Sequence, residues 1–321
     1  MTTLRLRDLA ERPAGLACGH GLCAGCAEPV AVRQILTALQ HPAVASVATG
    51  CLEVATTHYP TTAWNIPLVH SAFENPATTT AGMEAAHKAL VRKGKLADSP
   101  ITFLAFGGDG ATYDIGFQWL SGALERGHRF IYVCLNNEAY MNTGIQRSSA
   151  TIKGTSTTTT PAGNAVPGKV AWRKDLTSII AAHRIPYVAQ AAVHNWRDLA
   201  TKVRKAEACG GPAFLNVLVP CPRGWRYGAS ETMTISRLAV ETGLWPLYEV
   251  DNGVYKLNGR PRELKPVTEW LQSQRRFSHL LRKGTEEVVT DIQANVDREW
   301  RELLQRCGVE EEKPVAAAAD S

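Results

Sequence analysis

At 321 residues, with 45% hydrophobic and 20% charged side chains, the chain has an ordinary globular composition and length for one large or two modest domains. A net charge of +5 with no concentrated Lys/Arg block beyond Arg275-Arg276 gives no argument for a nucleic-acid partner, though a basic face toward an acidic partner stays open. No apolar run is long enough for a membrane span, and Met1 to Arg12 lacks the apolar stretch of a secretory signal, so a cytoplasmic protein is expected.

Residues 1–22 form an approach segment ending in Gly19-His20-Gly21. Cys23-Ala24-Gly25-Cys26 is a C-x-x-C loop running into a helix over Glu28–Leu39, whose apolar stripe is Val30, Val32, Ile35, Leu36 and Leu39. Val44–Val47 is a short strand leading into Thr49-Gly50-Cys51. Pro60–Asn75 is a Thr/Pro/aromatic loop around a short strand, Leu68–His70, and Thr78–Arg92 is a small-residue helix. Ile101–Phe106 reads as a buried strand ended by glycines, Tyr113–Glu125 as a helix with a glycine break at Gly127, and Phe130–Leu135 as the next buried strand. The Thr-, Ser-, Gly- and Pro-rich stretch from Ala139 to Gly168 is a long loop of the kind that is functional or disordered. Arg173–His183 is a helix, Tyr187–Ala189 a strand, Asn195–Cys209 a helix capped by Asn195, and Ala213–Val219 a buried strand ending at Pro220-Cys221-Pro222. From Ser230 the texture changes. A helix over 232–242 precedes a hairpin, Trp245–Val250 and Val254–Leu257, joined by Asp251-Asn252-Gly253. A proline-punctuated linker (Arg260–Pro266), a helix near 267–275 and an amphipathic helix over Thr285–Cys307 follow. The expected organisation is an approach segment (1–22), a core domain (23–229), an extension (230–308) packing on the core or a partner subunit, and a disordered tail (309–321).

Within the core, Gly108-Asp109-Gly110 and Asn136-Asn137 flank one strand–turn–helix–strand unit. Asp109 then sits at the carboxyl end of one parallel strand and Asn137 just past the end of another, where open α/β sheets bind ligands. A carboxylate and an amide oxygen converging there can hold Mg²⁺, which in turn holds a diphosphate, while the glycines admit close backbone approach. A bare Gly-Asp-Gly reads as a tight turn. Here Gly108 to Asn137 spans 30 positions inclusive, between strands and ending in an asparagine pair. The unit resembles the diphosphate-binding motif of thiamine diphosphate (ThDP) enzymes.

Eight cysteines without an export signal read as reduced, so metal ligation or burial must explain them. A lone C-x-x-C fits half a zinc knuckle, a redox pair or neither, and no second close pair completes a zinc site. Cys51 and Cys221 each follow a core strand, however, and with Cys23 and Cys26 they make a plausible thiolate set for a cubane. Cys134 reads as buried core, Cys209 and Cys307 fall near helix ends, and Cys18 is ambiguous. The nine histidines form no ligand-spaced pair; His20 and His70 lie nearest the motifs.

Taken together, Ala24-Gly25-Cys26, Thr49-Gly50-Cys51-Leu52-Glu53-Val54, Ala72-Phe73-Glu74-Asn75, Gly108-Asp109-Gly110, the block Asn137–Ser148 and Cys221-Pro222-Arg223-Gly224-Trp225 resemble, in order, the β subunit of pyruvate:ferredoxin oxidoreductases and related 2-oxoacid oxidoreductases. The resemblance implies a ThDP-binding α/β fold with a central, mostly parallel sheet flanked by helices, plus a C-terminal extension. It implies ThDP, Mg²⁺ and one [4Fe–4S] cluster, with cluster ligands Cys23, Cys26, Cys51 and Cys221, and Mg²⁺ on Asp109, the Asn137 side chain and the Ala139 carbonyl. Gly50, Cys51, Leu52, Gly108, Gly110, Asn142 and Thr143 would line the cofactor, with Asn142 and Cys51 closest to the chemistry and Asn142 facing the substrate's carboxylate or carbonyl. The implied activity is oxidative decarboxylation of a 2-oxoacid to acyl-coenzyme A and CO₂, electrons passing to ferredoxin or another acceptor.

Two absences imply partners. Glu53, Glu74 and Glu138 adjoin the motifs, but none matches the ThDP-activating glutamate, which in the family comes from the α subunit. The chain also lacks a C-x₂-C-x₂-C-x₃-C-P run, so γ and ferredoxin-like δ subunits would carry the electrons onward, and this subunit alone would be inactive. The segments Gly243–Glu249 and Leu264–Val267 are similar to pyruvate-type subunits, while phenylglyoxylate and oxalate enzymes share most of the frame. Arg223 and Arg226 are more basic than the family pattern. A cysteine-ligated structural or redox-sensing module is the reading from another class, and it leaves Asp109 and Asn137 idle; a cluster-free ThDP carboligase or decarboxylase would need no cysteine set.

Overall fold

The computed structural model describes residues 5–163, 165–282 and 284–309; apart from Val309, the expected tail lies outside them. Eight strands, β1 (Ala43–Ala48), β2 (Leu68–Ser71), β3 (Thr102–Gly108), β4 (Ile131–Asn136), β5 (Tyr187–Ala192), β6 (Ala213–Leu218), β7 (Tyr248–Asp251) and β8 (Val254–Leu257), form one sheet in the order β2-β1-β3-β4-β6-β5-β7-β8. Neighbours from β2 to β5 pair in parallel, whereas β7 joins β5 and β8 joins β7 antiparallel. The C-terminal segment thus extends the sheet of the core.

Strands β3 to β6 are apolar almost without interruption because helices cover both faces. The helices are α1 (Leu6–Ala10), α2 (Ala27–Ala38), α3 (Cys51–Thr56), α4 (Pro76–Arg92), α5 (Phe117–Glu125), α6 (Leu176–Ala181), α7 (Trp196–Ala208), α8 (Pro222–Trp225), α9 (Thr232–Glu241), α10 (Val267–Gln272) and α11 (Glu286–Arg306). Alternation along β3 sends Leu104 and Phe106 into one core, with α2 and α7, and Phe103 and Ala105 into the other, with α4 and α5. A third core gathers Trp225, Trp245, Trp270, Phe277 and Ile292 around the C-terminal segment.

Several local expectations are revised by long-range contacts. The helix expected over Tyr113–Glu125 is a π-helical turn, Gly110–Ile115, followed by α5. The joint is Gly116, where an added Cβ would lie 2.2 Å from the Ala111 carbonyl oxygen and 2.7 Å from that of Glu74. The helix expected over Arg173–His183 shrinks to α6. Arg173 donates to the Leu244 carbonyl at 2.9 Å and Lys174 to that of Tyr113, while Asp175 accepts from Ser178 N and caps the shorter helix. The first hairpin strand begins at Tyr248, because the Trp245 indole turns inward to donate to the Ala191 carbonyl at 2.8 Å. Its turn is as expected, with Asn252 at φ 48° and Gly253 at φ 84°. Asn195 caps α7 by accepting from Asp198 N at 3.2 Å. Cys134 is fully buried, and Cys209 and Cys307 stand at helix C-termini.

Candidate functional site

The sheet order reverses between β1 and β3: the chain runs from β1 outward to β2 and returns on the other side at β3. Diverging connections leave a crevice at such a point. Here it is a cleft between the carboxyl ends of β1, β3 and β4, walled by Thr49–Leu52, Gly108, Gly110, Asn137 and the segment Ala139–Thr143. Every cofactor-contact position expected from the sequence therefore borders one cleft, except Asp109, which is fully buried beneath it. A Cβ on Gly108 would meet nothing within 4 Å, whereas one on Gly110 would lie 2.4 Å from the Tyr140 ring. Asn142 and Thr143 are exposed at the rim, on a tight turn closed by Tyr140 N donating to the Gln146 carbonyl at 2.9 Å.

Asp109 accepts from Asn137 N at 3.3 Å and from the Ser148 hydroxyl; among the described residues it has no ion-pair partner. Burial pushes its carboxyl up to about 7, against the pull of those hydrogen bonds. The Asn137 side chain donates to Glu28 at 3.0 Å and accepts from Ala139 N at 3.4 Å, and its carbonyl accepts from the Trp225 indole at 2.8 Å. A buried carboxylate without a counter-charge, flanked by an amide and a free-standing glycine backbone, suits a divalent cation and the phosphate it carries.

Sequence reasoning missed Glu28. It stands in the first turn of α2, two residues past the C-x-x-C, and borders the same cleft. One carboxylate oxygen takes the Asn137 amide; the other is buried with no partner. Burial raises this carboxyl also to about 7, with the Asn137 hydrogen bond opposing. The only sequence signal was an acidic residue beside the cysteine loop, unremarkable at a helix N-terminus.

All four expected cluster cysteines are free thiols: Cys23 and Cys26 precede α2, Cys51 opens α3 on the cleft wall, and Cys221 precedes α8. Their charges act on one another. Burial foremost pushes the thiols of Cys26, Cys51 and Cys221 up. The charges of Cys221 and Cys51 add to this at Cys26, those of Cys221 and Cys23 at Cys51, and that of Cys23 at Cys221. Cys221 Sγ accepts from Gly224 N at 3.3 Å. Among the described residues no group of three or more His, Cys, Asp or Glu is arranged to hold a metal ion. Cys18 stands exposed, its sulfur 3.6 Å from Arg33 Nη1. His70 borders the lip, its Nε2 2.8 Å from Thr49 Oγ1 and its Nδ1 3.4 Å from Glu53. Arg223 and Arg226 are exposed on this chain.

Residues 48–217, which carry the cleft lining apart from Glu28 and Val47, match the family described as thiamine pyrophosphate enzyme, C-terminal TPP binding domain. Pyruvate synthase subunit PorB of Thermotoga maritima is 48% identical over 96% of this chain and 97% of its own length. The chain belongs to the PorB subunit family of 2-oxoacid oxidoreductases. Its PorB relative in Methanocaldococcus jannaschii is 50% identical over 89% of this chain and 95% of that one, and ketoisovalerate oxidoreductase subunit VorB of Pyrococcus abyssi is 42% identical over 89% and 91%. Among solved structures, the 2-oxoglutarate:ferredoxin oxidoreductase from Magnetococcus marinus covers 74% of this chain and 81% of its own, at 18% identity and a TM-score of 0.52. That likeness is one of fold. Membership of the PorB family agrees with the resemblance read from the sequence motifs, with the parallel sheet and with the ThDP-binding frame of the cleft.

Proposed function

We propose that this chain is the ThDP-, Mg²⁺- and [4Fe–4S]-binding subunit of a 2-oxoacid oxidoreductase, with pyruvate as substrate and coenzyme A as acyl acceptor. The observation that carries the proposal is Asp109, a buried carboxylate without an ion-pair partner among the described residues, under a cleft whose wall also holds Cys51, one of the four expected free thiols. Asp109, the Asn137 side-chain oxygen and the Ala139 carbonyl would hold Mg²⁺; Cys23, Cys26, Cys51 and Cys221 would hold the cube. When bound, ThDP supplies the electron sink for decarboxylation and the cluster supplies a one-electron exit.

The chain's own residues bind and shield. Gly108 keeps the floor clear of a side chain, Gly110 leaves room for the Tyr140 ring, and the Phe73–Tyr140 edge-on pair, centroids 5.7 Å apart, walls one side of the cleft against water. Asn142 on the rim would meet a polar substrate group. The activating glutamate comes from an α subunit, and electrons leave through γ and ferredoxin-like δ subunits to ferredoxin. Pyruvate is favoured because the seven relatives named pyruvate synthase subunit PorB, at 43–50% identity, stand ahead of the ketoisovalerate relative at 42%.

The test is anaerobic purification of the intact complex and assay of viologen reduction with pyruvate, ketoisovalerate, phenylglyoxylate and oxalate, with and without coenzyme A. Iron and acid-labile sulfide are measured on the same preparation. Pyruvate- and coenzyme A-dependent reduction with cubane iron is expected. Iron without turnover of any 2-oxoacid would favour a structural or redox-sensing module, and turnover without iron a cluster-free ThDP enzyme.

A further inference from the structure

Between Asn137 and Ala139, two of the three proposed Mg²⁺ ligands, stands Glu138, whose carboxylate turns to Arg276 instead of the cleft. Its backbone is left-handed, φ 65°, a conformation that side-chain-bearing residues adopt only when their surroundings hold them there. Its N–H donates to Asn136 Oδ1 at 3.0 Å, and its carbonyl accepts from Thr151 Oγ1 at 2.6 Å. Its carboxylate is fully buried and takes Arg276 Nη2 at 2.6 Å, with Arg173 Nη1 3.7 Å from the other oxygen.

Arg276 arrives from the C-terminal segment, on the 3₁₀ turn Arg275–Leu281, and is itself buried. Its guanidinium lies 3.9 Å over the Trp225 ring, and its Nε donates to Gln274 at 2.8 Å. Trp225 in turn donates to the Asn137 carbonyl. One cation therefore grips both sides of Asn137, through the carboxylate that follows it and through the indole bonded to its carbonyl. Neither Glu138 nor Arg276 borders the cleft. Buried ion pairs are weak stabilisers compared with apolar packing, and their best-attested use is to fix one geometry.

We propose that Arg276 and Glu138 are a positioning pair that locks the Asn137–Ala139 turn in its ligating shape, so that the C-terminal segment sets the affinity for Mg²⁺-ThDP. The inference rests on the cofactor reading above. The experiment measures the Kd of Mg²⁺-ThDP on the cofactor-stripped complex by fluorescence titration, alongside thermal midpoint and iron content, for wild type, Arg276→Met, Glu138→Gln and the double variant Glu138→Gly/Arg276→Met.

Arg276→Met raises Kd about 10- to 100-fold, the usual effect of losing a partner behind a metal ligand, and Glu138→Gln raises it in the same direction. In the double variant glycine takes the left-handed backbone without help, neither partner of the pair is left behind and Arg173 keeps its bond to the Leu244 carbonyl, so Kd returns to within about threefold of wild type. Iron content stays constant throughout. Unchanged Kd in both single variants overturns the proposal, as does a double variant as weak as Arg276→Met, which would make the pair a support of the fold alone. If Arg276→Met does not assemble, Glu138→Gln and the double variant decide by the same criteria. Wild type that binds no Mg²⁺-ThDP would instead sink the cofactor reading itself.

Discussion

Replacing Asp109 by Asn separates the cost of the site to the fold from its use. The Asp109 carboxyl stands at about 7 in the folded chain against 3.8 for an unperturbed carboxyl. Between those values the folded state holds a proton that the unfolded state has released, so stability falls as pH rises through this window and is level above it. At about 1.4 kcal/mol for each pH unit, the ionised side chain costs about 4 kcal/mol of folding free energy at pH 8 and about 1–2 kcal/mol at pH 5. Asparagine is nearly isosteric and never ionises. Its oxygen can keep the Asn137 N–H, and the Ser148 hydroxyl can rotate to accept from its amide. Cofactor-stripped Asp109→Asn protein is therefore more stable than wild type at pH 8, by up to about 4 kcal/mol, and the advantage narrows toward pH 5. Urea denaturation at the two pH values measures it. Addition of Mg²⁺-ThDP at about a hundred times its Kd then stabilises wild type by about 2.7 kcal/mol and leaves the variant unmoved. A variant equally destabilised at both pH values, or one still stabilised by Mg²⁺-ThDP, would show that Asp109 is a structural cap and that the cation is held elsewhere.

Two further substitutions probe the two halves of the site. Gly25, inside the C-x-x-C loop, has φ 74°, and a Cβ there would lie 2.3 Å from the Ala229 carbonyl oxygen and 2.7 Å from its Cα, both backbone atoms that cannot swing aside. Gly25→Ala therefore displaces the loop at a cost of about 2–5 kcal/mol, and iron and sulfide content of anaerobically prepared protein falls while ThDP binding persists; full iron occupancy would contradict the four-thiol set. Gly110→Ala forces the Tyr140 ring from its seat at about 1–3 kcal/mol and loosens the rim that carries Asn142, so the KM for the 2-oxoacid rises with kcat nearly unchanged; an unchanged KM would detach that rim from substrate binding.

The parallel strands were legible because burial on both faces leaves a readable apolar run, as in Ile131–Leu135, and because the functional residues sit at the ends of those runs. Asp109, Asn137 and Cys51 were found on that ground. What stayed hidden depends on contacts between residues far apart in the chain. The π turn after Gly110 is set by the Glu74 backbone against Gly116. The start of α6 is set by carbonyls at Leu244 and Tyr113 that draw Arg173 and Lys174 away. Glu28 looks like an ordinary first-turn acid until Asn137, 109 positions later, is found against it, and Arg276 looks like half of a surface basic pair until Glu138 appears beneath it. Local pattern has no access to such pairings.

The polar groups of this cleft make sense only as an electrostatic whole. Cys51 is pushed up by burial and then by the charges of Glu28, Cys221, Cys23 and Asp109, so each acid group makes the next harder to ionise. Water cannot relieve this, because Asp109 and Glu28 are buried, and among the described residues neither has an ion-pair partner. The remaining relief is cationic. In the proposed reading a dication on Asp109 removes one of the charges opposing ionisation of Cys51. The dication and iron on the thiolates then favour one another, and by linkage they do so equally in both directions.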